Sequence, residues 1–308
     1  MKNKHLIIVF LLVGITTLSC KKNKNSNAEE PCPGFCKDFD FGLIDYQPEW
    51  SPDGKYIAYY HIDKEITKNG IWLITPDGKE NRLWHSGVGA ETPTWSPDGQ
   101  WIAFSQGAQI WKKKLNGDSL TRITNEGRNF FPAWSPDGKW IAYDNTDCGN
   151  SAFPAPANSC GILLTNFLEK KLIVSGRIPS WINSYSFIYI GLFYNIYKYN
   201  LKDFSKVQLT TTNTKDKFTT VYSLKYSTKN YIALTSQVNG DVPQIWIMND
   251  DGSNLKQLTQ TGGYTSDWSP DGSKIVFTDS RAVNGRLWLM NADGSDKQQL
   301  SFENKFNL

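Results

Sequence analysis

The chain has 308 residues, with 33 Lys and Arg against 30 Asp and Glu, a formal net charge of +3. That near balance excludes a basic nucleic-acid binder, and the length allows a core that needs no staples. The 12 tryptophans and other aromatics fall in short runs between Gly, Pro, Asn and Asp clusters, which points to an all-β fold.

Residues 1–19 read as a signal peptide: Lys2 and Lys4 precede an apolar run from Leu6 to Gly14, and small residues precede Cys20. Without those two lysines the exported chain has 31 basic and 30 acidic residues, so no nucleic-acid partner is expected. Thr17-Leu18-Ser19-Cys20 resembles a bacterial lipobox, with Thr17 where Leu is more frequent; the resemblance implies acylation at Cys20 and firm membrane anchoring. The alternative is an ordinary signal peptide with a nearby Cys. Residues 20–40 then form the lipidated Cys and a flexible tether, because Lys21 to Glu30 is polar and lacks aromatics. Four cysteines remain, an even number in an exported chain, which favours disulfides. Cys148 and Cys160 bracket the longest insertion, and Cys32 and Cys36 flank a turn. With only His61 and His85 as mature imidazoles, no metal site or cofactor is expected.

Residues 41–308 are organised by a repeat. Trp-Ser-Pro-Asp-Gly begins at Trp50, Trp95, Trp134 and Trp268, and decayed copies begin at Trp181 and Tyr226. These six leading aromatics lie 39 to 47 residues apart, a period that with strand-like units means a propeller. In each Ser-Pro-Asp-Gly the Pro pre-sets φ, the Asp can bond nearby backbone, and the Gly accepts a positive φ between two alternating apolar runs. A third strand follows, as in Gln109-Ile110-Trp111, then a turn such as Asp77-Gly78, then a fourth such as Gln257-Leu258-Thr259. The expectation is a six-bladed β-propeller of four-stranded antiparallel blades. These repeats resemble the WD40-like PD40 repeats of the TolB-type propeller, which also occur in prolyl oligopeptidases. The resemblance covers roughly residues 46 to 301 and implies the fold and an envelope location, while the same blades serve unrelated tasks.

In a four-stranded meander the Ser-Pro-Asp-Gly and Asp-Gly turns share one face, and the longer second-to-third loops share the other, which is the expected binding face. The residues four before each leading aromatic are Tyr46, Glu91, Phe130, Arg177, Tyr222 and Tyr264. They are the candidate binding ring, since Tyr, Phe and Arg anchor partners most often; plugging the channel or packing between blades is the alternative. Blade 4 departs from the pattern over Tyr185 to Tyr199, read either as a buried hairpin turning at Gly191 to Asn195 or as an exposed contact patch.

No catalytic constellation emerges. No Gly-x-Ser-x-Gly elbow is present, the two histidines fall in one blade, and the residues after the last blade leave no room for a hydrolase domain. Glu91 with Glu49 could do glycoside chemistry, but nothing selects that pair. The expected function is a non-catalytic protein-binding or scaffolding module, lipid-anchored in the outer membrane of a bacterial envelope, with an envelope protein or peptide as partner. The alternative is a carbohydrate-binding or carbohydrate-active propeller in surface glycan uptake.

Overall fold

The computed structural model describes residues 43–147, 160–210, 218–238, 241–279 and 284–302. The leader, Cys20, the tether, Cys32, Cys36 and Cys148 lie outside the described residues. Within them are six four-stranded antiparallel sheets, each made of strands consecutive in sequence. The all-β, six-bladed expectation is met. Among the described residues helix is confined to two short 3-10 turns, Ile66–Lys68 and Leu192–Tyr194, and none is long and apolar enough to cross a membrane.

The recurring turn forms for the reason its residues foretell. At Ser51 to Tyr56 the Gly54 N–H donates to the Ser51 carbonyl at 2.9 Å, with Gly54 at φ 71°. The Ser51 hydroxyl donates to Asp53 at 2.8 Å and accepts from the Tyr56 N–H at 2.9 Å, while Asp53 accepts from the Lys55 N–H at 3.1 Å. The same bonds recur at Ser96, Ser135 and Ser269. Serine bonding holds Asp271 down at about 2, against an ordinary 3.8. In the decayed copy of blade 5, Asn230 takes the glycine's place at φ 63° and donates its N–H to the Ser227 carbonyl at 3.0 Å. Asparagine tolerates that region better than other side-chain-bearing residues, so the turn outlasts its motif.

The first strand of each blade is innermost. These strands are Ile44–Trp50, Glu91–Trp95, Asn129–Trp134, Arg177–Asn183, Phe218–Tyr226 and Ser266–Trp268, and they touch one another in cyclic order. Six apolar clusters lie between blades, one per interface. Trp84, Trp95 and Phe104 join blades 1 and 2; Ile110, Ile141 and Tyr143 join 2 and 3; Ile162, Trp181 and Tyr189 join 3 and 4. Ile188, Leu224 and Trp246 join 4 and 5, and Ile245, Trp268 and Phe277 join 5 and 6. Trp50, Tyr59, Val276 and Leu287 close blade 6 onto blade 1.

Three of the five leading tryptophans also reach backwards, while the buried indole N–H groups of Trp50 and Trp134 find no acceptor among the described residues. The indole N–H of Trp95 donates to the Glu49 carbonyl at 3.1 Å, that of Trp181 to Ala133 at 2.9 Å, and that of Trp268 to Lys225 at 3.3 Å. The acceptor is always the residue just before the previous blade's leading aromatic. A repeated Trp is therefore both the apolar wedge and the hydrogen bond of its interface. Trp181→Ala should cost about 3–5 kcal/mol for the lost wedge. Trp181→Phe should cost about 0.5–1.5 kcal/mol, near a single hydrogen bond. Urea unfolding with an unchanged slope checks both values.

Candidate functional site

Four inner strands carry Pro two residues before the leading Trp, at Pro48, Pro93, Pro132 and Pro179. The residue before each proline has a left-handed backbone: Gln47 at φ 56°, Thr92 at 54°, Phe131 at 52° and Ile178 at 53°. Strand register slips there in all four blades, the mark of a bulge that redirects side chains. Such a backbone costs of order 1–3 kcal/mol in a residue other than glycine. Side chains of the preceding blade compensate by taking the exposed amides. The Gln47 N–H donates to Thr265 at 3.0 Å, the Thr92 N–H to Gln47 at 2.9 Å, and the Ile178 N–H to Asp144 at 2.8 Å.

Inside this hoop lies an axial cavity of about 240 Å³ lined by all six inner strands. The residues immediately before the leading aromatics divide its wall. Glu49, Lys225 and Asp267 from blades 1, 5 and 6 are charged, while Thr94, Ala133 and Ser180 from blades 2, 3 and 4 are small. Lys225 is paired with Glu49 and lies 3.9 Å from Asp267. Thr94 donates to Glu49 at 3.0 Å, and Asp267 accepts the Trp50 N–H at 2.8 Å. Burial, reinforced by Glu49 and opposed by Lys225, pushes Asp267 up to about 7. Burial would lower Lys225, but the two carboxylates outweigh it and hold it above its ordinary value. This wall offers one ammonium and two carboxyls facing hydroxyl and methyl groups, already engaged with one another.

The residues four before each leading aromatic lie one step outside that lining, Tyr222 excepted. The structure brings Tyr46 to Glu91, with the phenol donating at 3.2 Å. It also brings Tyr222 to Tyr264, with ring centroids 5.9 Å apart. Phe130 is buried. Arg177 stands apart: its side chain is 57% exposed, with Nε 3.7 Å from Asp144. It borders a second cavity of about 320 Å³ between blades 4 and 5, lined with Ile178, Ile190, Leu192, Phe193, Tyr194 and Val221. Blade 4 is the buried hairpin of the first reading, with an exposed turn. Its strands are buried at Phe187, Tyr189 and Tyr199, while Leu192 and Phe193 at the turn are exposed.

The two histidines have structural neighbours. His61 Nδ1 is 2.6 Å from Asp45, whose other oxygen accepts the Ser301 hydroxyl. These three are almost wholly buried at the junction of blades 6 and 1, and the Ser bonds the Asp rather than the His, so the trio clasps the ring and does not form a nucleophile. His85 Nε2 is 3.1 Å from Gln106. Among the described residues no group of three or more His, Cys, Asp or Glu could hold a metal ion.

Sequence reasoning missed the charged wall and Asp144. The only sequence signal for the wall is the residue type just before each leading aromatic. Asp144 is enclosed between blades, where burial outweighs nearby Arg177 and pushes its carboxyl up to about 7 from an ordinary 3.8. The native state therefore holds this proton more tightly than the unfolded chain. Its linkage contribution is most favourable below the unfolded value and is lost as pH rises towards 7. Asp144→Asn should flatten the fall in stability between about pH 4 and 7, read as melting temperature against pH; an unchanged slope would show that Asp144 is not raised.

Residues 40–167 match the family model described as the TolB beta propeller domain. Comparison with curated proteins finds no match. Among solved structures, putative TolB from Agrobacterium tumefaciens is 22% identical with a TM-score of 0.60, covering 72% of this chain and 84% of that one. The tricorn protease is 15% identical with a TM-score of 0.62, covering 84% of this chain and 26% of that one. An oligogalacturonate lyase in complex with manganese is 13% identical with a TM-score of 0.56, covering 85% and 78%. At these identities the structural likenesses speak for the fold. The stretch 40–167 is similar to the TolB beta propeller domain, and the described residues form a six-bladed propeller.

Proposed function

We propose that this propeller is a non-catalytic protein-binding module, held in the bacterial envelope by a lipid on Cys20 and recognising a protein or peptide through the face that bears its second-to-third loops. The observation that carries this reading is the cavity between blades 4 and 5. Exposed Leu192 and Phe193 and a half-exposed Arg177 surround an apolar floor, a combination of aromatic anchor and guanidinium that suits an apolar side chain next to a carboxylate. Phe193 and Tyr194 keep left-handed backbones at φ 57° and 59°, strain of the kind that gathers at binding sites. The Tyr46–Glu91 and Tyr222–Tyr264 pairs extend the surface towards the axis.

The same proposal includes the leader at 1–19, the tether at 20–40 and a disulfide between Cys148 and Cys160, which would clamp the blade 3 insertion on this face. The disulfide state of Cys160 supports that bridge.

Capture from an envelope extract on the immobilised propeller should retain one protein, and both Arg177→Glu and Phe193→Ser should lose it. Retention unaffected by either variant would move the binding site elsewhere. In cells, Cys20→Ala should release the protein from membranes; persistence through a high-salt wash would remove the lipid anchor. Thiol titration of unfolded, unreduced protein should find no free thiols.

A further inference from the structure

The turns between third and fourth strands are built on glycine in four blades, at Gly78, Gly117, Gly252 and Gly294, each with positive φ. Blades 3 and 4 differ. Phe167 at φ 73° and Phe204 at φ 58° occupy left-handed positions in their turns. Asp203-Phe204-Ser205 keeps the bond from the Ser N–H to the Asp carboxylate seen at Asp293-Gly294-Ser295. An aromatic ring thus stands where the fold prefers no side chain; Phe167 leans on Trp134, with ring centroids 5.6 Å apart, while the Phe204 ring projects into solvent. Phe204 is 62% exposed, and Leu168 beside Phe167 is 94% exposed. Leu172 and Val207 on the adjoining outer strands are also exposed.

Lysines encircle these apolar tips. Lys112 lies 3.9 Å from the centre of the Phe167 ring, Lys171 is 5.7 Å from that of Phe204, and Lys202 is 3.7 Å from that of Tyr185 in the neighbouring Ser-Pro-Asp-Gly-side turn. These contacts make one continuous strip over the outer edges of blades 2, 3 and 4. Three carboxylates sit nearby: Glu126, which pairs with Lys170, and Glu169 and Asp203 within the turns themselves. Neither cavity described above includes the strip. The apolar residues project from turn tips and do not line a groove, and lysines outnumber the acids around them. A flat, deformable, anionic surface fits protruding apolar tips ringed by lysine better than a shaped protein partner does.

We propose that this strip is a membrane-docking surface, in which Leu168 and Phe204 enter the headgroup boundary of an anionic phospholipid bilayer while the surrounding lysines meet the lipid phosphates. It lies on the face bearing the tight turns, so docking would leave the opposite face clear. The proposal rests on the strip alone and is independent of the acyl chain at Cys20.

Because an acyl chain or leader would itself bind vesicles, the form to test is the chain from residue 21 onward, which retains every described residue. Its co-sedimentation should be measured with phosphatidylcholine vesicles and with vesicles in which phosphatidylglycerol replaces part of that lipid. Binding is expected only to the anionic vesicles, weakening with salt. Leu168→Ser with Phe204→Gly should weaken it by about tenfold or more, and Lys171→Glu with Lys202→Glu by at least a similar factor. Phe204→Gly alone should raise the melting temperature while lowering vesicle binding, a pairing that a merely structural Phe would not produce. Equal binding to both vesicle types, no binding to either, or anionic binding untouched by both double variants would overturn the proposal. Retention on immobilised polyglutamate without vesicle binding would assign the strip to an acidic protein and overturn it equally.

Discussion

Among the described residues no strand is shared between the last blade and the first, so the ladders there do not close this ring. Closure rests on one backbone bond, from the Asp45 N–H to the Gly285 carbonyl at 3.0 Å, and on side chains. At that seam the Trp50 and Gln47 amides are held by Asp267 and Thr265, Asp45 clasps His61 and Ser301, and buried Arg286 donates to the Leu43 carbonyl at 2.7 Å. Each of the other five interfaces has its apolar cluster; Trp95, Trp181 and Trp268 add an indole N–H to the preceding blade, and Gln47 and Asp144 take the bulged amides of Thr92 and Ile178. A blade exposes two apolar faces and is stable only between neighbours. The ring is the arrangement in which none is left uncovered.

Meeting that requirement concentrates polar groups at the axis. Backbone amides released by the bulges cannot stay unpaired in a buried place, and the partners that reach them are in part carboxylates. Asp144 and Asp267 are the result: they are acids whose structural task places them where ionisation is costly, and both are pushed up to about 7. Raised carboxyls often mark catalytic centres. Here each accepts a backbone amide from the next blade, that of Ile178 for Asp144 and that of Trp50 for Asp267.

The distinctive surfaces gather in blades 3 and 4, where the repeat is least regular. On the loop side, Leu192, Phe193 and Arg177 surround a cavity; on the turn side, Leu168 and Phe204 project among lysines. In both places bulky residues occupy left-handed backbone that other blades give to glycine or avoid. A fold that accepts local strain while leaving the resulting side chains in solvent has a reason outside its own stability. The two proposals give each face of the same blades a separate use, one for a protein and one for a membrane.

Blade number, strand order and turn chemistry were legible in the sequence because Ser-Pro-Asp-Gly is a local code: its hydrogen bonds join residues no more than five apart, so four faithful copies and two decayed ones locate every hairpin. The binding ring was less legible. Counting four back from each leading aromatic finds two pairs in contact, Tyr46 with Glu91 and Tyr222 with Tyr264, but it also selects Phe130, which is core, and passes over the charged residues one before the aromatic. A bulge of one residue reverses which side chains face the axis, and that bulge is stabilised by groups some 35 to 220 positions away, such as Asp144 for Ile178 and Thr265 for Gln47. Pairing at such distances in sequence leaves no local pattern. The sequence by itself determined the wedge and its repetition; only closing the ring decided which polar groups are buried together, which acids are raised, and which aromatics remain in solvent.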